Sequence, residues 1–162
     1  MKSEANKMEV LIEDLMLLSR IELQEHIRLK DKVDIKEVIE NIILLNSKKI
    51  SEKKLNVNLN IKEKERFVTG DKEKLSAVFL NLLDNAIKYS GNSKSVKIES
   101  SENISGLKNY TSISVIDEGF GIAPEDIHRI TERFFRTENA KKLKIEGTGL
   151  GLAITKHIIN QH

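Results

Sequence analysis

The sequence predicts an α+β chain: a two-layer α/β sandwich, in which a mixed sheet carries helices on one face, preceded by a separate bundle or coiled-coil helix. Three observations point there. Short stretches of strict apolar–polar alternation recur at 55–61, 95–100 and 111–117. Around them, apolar residues return at helical spacing over 35–53, 72–89 and 149–161. A further helical stripe at 4–24 has little local sequence to pack against.

The first helix, 4–24, repeats Met8, Leu11, Ile12, Leu15, Leu18 and Ile21, a packing seam that seeks a partner. Residues 25–33 read as a linker, and 34–162 as the main domain. Asp34 with Glu37 forms a capping-box-like start for a helix over 35–53, with Ile35, Val38, Ile39, Ile42 and Leu45 on one face. "LNVNLNI" at 55–61 follows as a strand with one polar face. Gly70 and Asp71 supply a turn and an N-cap for the helix over 72–89. "SVKIES" and "TSISVID" are strands joined by the polar loop "SENISGLKN". Pro124, Glu125 and Asp126 suit the first turn of a short helix near 124–130. Residues 132–148 are charged and weakly patterned, and read as a mobile loop before the last helix.

Composition narrows the function. The 162 residues are 39% hydrophobic and 32% charged with one proline, which fits a globular chain and argues against disorder. A net charge of +2 from 27 basic and 25 acidic residues, interleaved along the chain, points away from nucleic acid. Zero cysteines exclude disulfides and thiolate chemistry and fit a reducing cytoplasm. No apolar run reaches the roughly 18 residues of a membrane span, so no direct membrane contact is expected here. A membrane-anchored parent is left open.

Three local patterns carry chemistry. Asn81, Asn85 and Lys88 in "NLLDNAIKYS" project from nearly one side of the helix over 72–89. Amides among leucines need partners: they either cap nearby loops or offer oxygen to a hard cation such as Mg²⁺, with the lysine on a phosphate. Asp117 ends a strand and runs into "EGFGI", either an ordinary turn or an acid that accepts from an exocyclic amine beside a closely approaching backbone. "EGTGLGLA" opens the last helix; its glycines either permit a tight turn or bring N–H groups to a phosphate at the helix's positive end.

The three patterns are evenly spaced, Asn85 to Asp117 matching Asp117 to Gly149, and sit on a helix, after a strand and before a helix. That order resembles the ATP-binding domain of sensor histidine kinases, within the gyrase–Hsp90–histidine kinase–MutL superfamily (the Bergerat fold). "NLLDNAIKYS" looks like the N box, "DEGFGI" the G1 box, "ERFFRTE" the F box and "GTGLGL" the G2 box, the likeness covering 34–162. Residues 4–24, ending "LMLLSRIE", look like the second helix of the family's dimerisation and phosphotransfer domain. The resemblance implies ATP with Mg²⁺. Asp117 would accept from the adenine amino group, with Gly119 and Gly121 allowing close approach and Tyr89 and Ile122 beside the nucleotide. Asn85 would ligate Mg²⁺, Asn81 would hold phosphates or a metal-bound water, and Lys88 would contact phosphate. Arg136 would reach the γ-phosphate from a lid over 123–147. The backbone of Gly147, Thr148, Gly149, Leu150, Gly151 and Leu152 would cradle the phosphates.

Hydrolytic members of the superfamily carry a glutamate where this chain has Asn81, which cannot take a proton. The resemblance therefore implies a protein-histidine kinase that hands its phosphoryl group to a protein side chain, in two-component signal transduction with a homodimer partner and a response regulator. The phosphoacceptor motif is not found: His26 in "LQEHIRLKD" lies past "LSRIE" with no Thr-Pro, and His128, His157 and His162 read as surface or helix-end residues. The acceptor is expected on a helix absent from this sequence. The family's two further strands after "IINQH" are also absent, so the domain is read as C-terminally truncated with an exposed sheet edge. Two other classes fit less well: an anti-sigma-factor-type Ser/Thr kinase on the same fold, disfavoured by the helix at 4–24, and a non-catalytic nucleotide-binding module, disfavoured by the complete set of boxes.

Overall fold

The computed structural model describes residues 2–23, 31–91, 95–105 and 108–162, the side chains of a few of them excepted. The chain groups into two compact units, one within 29–121 and one combining 1–28 with 122–162.

The first unit holds the sheet and its helices. Helix α2 (Ile35–Leu45) starts where Asp34 accepts from the Glu37 N–H at 3.1 Å. The reciprocal half of the capping box is not made, because the Glu37 carboxylate instead takes Lys72 at 2.9 Å. The single helix expected over 35–53 is broken at Asn46, whose side-chain amide bonds the Ile42 carbonyl at 2.9 Å and so closes α2. A short α3 (Ser47–Glu52) follows. Strand β2 (Asn56–Asn60) exposes its asparagines and turns Val57 and Leu59 inward, as its alternation predicts.

Two short strands were not legible as such. β1 (Asp31–Asp34), inside the expected linker, pairs antiparallel with β3 (Phe67–Gly70), Val33 opposite Val68. Helix α4 (Lys72–Tyr89) has the expected bounds, Asp71 capping it by accepting from the Glu73 and Lys74 N–H groups. The expected polar loop over 101–109 is instead largely sheet: β4 (Ser95–Ser105) and β5 (Lys108–Asp117) form a long antiparallel hairpin. β2 lies parallel to β4 on its other side, so this three-stranded sheet is mixed, in the order β2-β4-β5. Val96 and Ile98 of β4 are buried with Val38, Ile39 and Ile42 of α2 and Leu75, Phe79, Leu83 and Ile87 of α4. Lys97 and Glu99 stay exposed on the opposite face. Helices thus cover one face.

In the second unit, helix α1 (Lys2–Leu23) packs on helix α6 (Gly151–Gln161). Leu18 and Ile21 of the predicted seam are buried, and the Ile21 carbonyl accepts from Gln161 at 3.0 Å. Met8, Ile12 and Leu15 of the same seam remain exposed. Pro124–Asp126 forms only a 3₁₀ turn, not a helix to residue 130. The charged segment expected as a loop contains a short α5 (Glu138–Lys142), capped by the Thr137 hydroxyl accepting from the Ala140 N–H at 3.2 Å.

Candidate nucleotide site

Within 29–121, α4 presents Asn81, Asn85 and Lys88 at successive turns, all half-buried. Lys88 is held: its ammonium lies 2.6 Å from Asp84, which also takes Lys49 at 3.0 Å. Burial pushes the Asp84 carboxyl up, but the hydrogen bonds and charges of Lys88 and Lys49 outweigh it, and its pKa lies below the usual carboxylate value. Asp84 therefore stays ionised and fixes where Lys88 sits. Its spacing to Lys88, one helical turn, is the signal that could have found it.

The loop after β5 closes against the end of the same helix. One Asp117 oxygen accepts from the Gly119 N–H at 2.9 Å, and the Phe120 N–H donates to the Tyr89 carbonyl at 3.3 Å. A Cβ at Gly119 would lie 2.2 Å from that carbonyl oxygen, so only glycine fits. The Phe120 ring covers Gly91, and Gly121 follows with a positive φ of 68° in open space. Tyr89, far away in sequence, is thereby brought against the Asp117–Gly119 turn. Asp117 remains exposed, with one carboxylate oxygen beyond the turn bond.

Within the other unit, the "ERFFRTE" segment locks onto the last glycine-rich stretch. The Phe134 N–H donates to the Gly149 carbonyl at 2.9 Å, with both residues at positive φ. A Cβ at Gly149 would come within 2.7 Å of the Phe134 backbone. Gly147 faces open space. Arg136 donates through its guanidinium to the Ile145 carbonyl, while its Nε is buried without a hydrogen-bond partner. Arg136 also lines a polar cleft with Arg129 and Lys141. Helix α6 begins at Gly151 with Leu150 at its cap position and no side-chain cap. Leu150 is fully buried, so its backbone alone can meet a ligand. Its N–H donates to the Thr148 hydroxyl at 3.2 Å, and that hydroxyl donates to Asp14 of α1 at 2.6 Å. Leu152 is half-buried and Ile122 exposed. His26 lies outside the described residues.

Residues 70–162 match the family described as histidine kinase-, DNA gyrase B-, and HSP90-like ATPase. The sensor protein kinase WalK of Staphylococcus aureus is 34% identical over 161 residues, 99% of this chain and 38% of the relative. The chain thus spans well under half the length of the WalK relatives it matches. Among solved structures, the histidine kinase AdeS of Acinetobacter baumannii is 32% identical with a TM-score of 0.71, covering 99% of this chain and 72% of the other. Full-length ShkA, solved in complex with AMPPNP, is 26% identical with a TM-score of 0.79, over 98% of this chain and 32% of the other. An ATPase-family match over the glycine-rich boxes, on a fold shared with solved histidine kinases, leads to one conclusion: the chain belongs to the sensor histidine kinases, and it carries their ATP-binding catalytic domain.

Proposed function

We propose that this chain binds ATP with Mg²⁺ and transfers the γ-phosphoryl group to a histidine on a dimerisation helix, from which a response regulator would take it. The observation that carries the reading is the seat at the end of α4, where Gly119 rests on the Tyr89 carbonyl beside the exposed Asp117 carboxylate. A backbone that approaches so closely leaves room for a flat base, and Asp117 has the oxygen to accept from its amino group. The AMPPNP in the related ShkA supports an adenine nucleotide as the ligand.

Mg²⁺ would enter on the triphosphate, with the Asn85 amide oxygen on α4 as its protein ligand. Bound in this way, Mg²⁺ supplies charge neutralisation on the phosphate oxygens. Lys88 and Arg136 would add positive charge, and the N–H groups of Gly149–Leu152 would donate to phosphate. In the transfer, an imidazole nitrogen attacks the γ-phosphorus while the bond to the bridging oxygen breaks, its electron pair leaving on ADP. Asn81 offers no base to activate water, which favours a protein acceptor.

The test is incubation with γ-labelled MgATP, with and without a separately supplied acceptor helix bearing the histidine. Acid-labile, base-stable label on that helix is expected, together with calorimetric binding of MgATP and MgADP. Acid-stable label on serine or threonine would instead identify an anti-sigma-type kinase. Absence of nucleotide binding by folded protein would reject the reading.

A further inference from the structure

Helix α1 and the glycine-rich stretch that precedes α6 are joined by a two-step hydrogen-bond relay. The Thr148 hydroxyl has one proton, and it goes to Asp14 at 2.6 Å, a charge-assisted contact between groups 134 residues apart. With its proton so directed, the hydroxyl turns a lone pair to the Leu150 N–H, which it accepts at 3.2 Å. Leu150 stands at the cap position of α6, and no side chain caps that helix. Its N–H is one of the donors assigned above to phosphate, and here it is taken.

We propose that Asp14 is a latch on the phosphate-binding loop: through Thr148 it occupies the Leu150 N–H, and its carboxylate competes with nucleotide phosphates for the start of α6. The competition has two parts. A phosphate oxygen approaching Leu150 must displace the Thr148 hydroxyl from its N–H. It must also approach a positive helix end where a carboxylate already sits close by. Both parts act in the same direction. Nucleotide affinity is lower while α1 is docked on α6, and releasing Asp14 raises it. The inference rests on the proposed role of the 147–152 backbone in holding phosphate, and it adds α1 as the element that regulates that role.

The experiment uses the full chain and the variants Asp14→Asn, Asp14→Ala and Glu13→Gln. Asp14→Asn removes the charge and keeps the shape; Asp14→Ala also removes the acceptor for Thr148. Glu13→Gln makes the same charge change at an exposed neighbour on α1. Calorimetry with MgATP and with Mg-tripolyphosphate should show about three- to tenfold tighter binding for both Asp14 variants, the range expected for relieving a charge at a helix terminus. Glu13→Gln should match the unaltered chain. Without any nucleotide, amide exchange at Leu150 should be faster in Asp14→Ala, since the hydroxyl that protected it is free to rotate. Unchanged or weaker binding in the Asp14 variants overturns the latch, as does an equal gain in Glu13→Gln. If the unaltered chain binds no nucleotide, the functional reading falls, and the Leu150 exchange rate alone decides the contact: an unaltered rate overturns it.

Discussion

Asp117 shapes its loop, and in the proposed site the same carboxylate would also meet the adenine. Its bond to the Gly119 N–H shapes the turn, and an asparagine at this position keeps an oxygen for that bond. Asp117→Asn should therefore leave the thermal midpoint almost unchanged while removing the charge from the proposed adenine contact. A charge-assisted bond is worth about 1.5–3 kcal/mol, so the MgADP dissociation constant should rise about 10- to 100-fold. An unchanged constant would mean the adenine lies elsewhere. Asp34 does structural work of a different kind. It caps α2 and pairs with Arg66 at 2.7 Å. The Arg66 hydrogen bond lowers its pKa below the ordinary 3.8. A carboxyl lowered in the folded state contributes stability that is fully present above its unfolded pKa and lost as pH falls through the folded one. Asp34→Ala should thus cost about 1–2 kcal/mol at neutral pH, with the difference from the unaltered chain shrinking below pH 3.8. Urea titrations at two pH values check this.

At the scale of elements, α4 anchors the first unit. Leu83 is 1% exposed in the cluster formed by α2, α4 and the sheet. Leu83→Ala should destabilise by about 2–5 kcal/mol, read as a lower urea midpoint. This helix was fully legible because cap, apolar spacing and length agree locally: Asp71, then Leu75, Val78, Phe79, Leu83, Ala86 and Ile87. The β4–β5 hairpin was only half legible. Beyond Ser100 its strands pair polar residues, Ser101 with Ser112 and Asn103 with Tyr110, so backbone hydrogen bonds hold what side-chain alternation does not announce. Asn103 adds a side-chain bond to Ser112. β1 and β3 escaped because four residues are too few to show a period. The break at Asn46 escaped because the apolar rhythm runs through it, and only the local amide bond to Ile42 reveals the stop.

Across the whole molecule, protection against hydrogen exchange should follow the pairing. β4 is hydrogen-bonded on both sides, to β2 and to β5, and its Val96 and Ile98 are buried, so its amides should exchange slowest. Residues 122–150, held by turns and the five-residue α5, should exchange far faster, and comparable rates in both would contradict this account. In the proposed site, the local backbone geometry was legible where motif and backbone need coincide, as in the Asp117–Gly119 turn and at Gly149. Partners set by tertiary contact were not: neither the Asp84 brace on Lys88, nor Arg136 turned to Ile145, nor Asp14 on Thr148 was read from sequence. The glycines also have a hereditary consequence. Every missense codon reachable from a glycine codon adds a Cβ, so at 119, pressed on the Tyr89 carbonyl, genetic drift has no neutral step to take. Position 147 meets no protein atom, so only a bound phosphate would hold it to glycine. Descendants of this gene should stay fixed at 119 even where nucleotide binding is lost, whereas 147 would then be released to diverge.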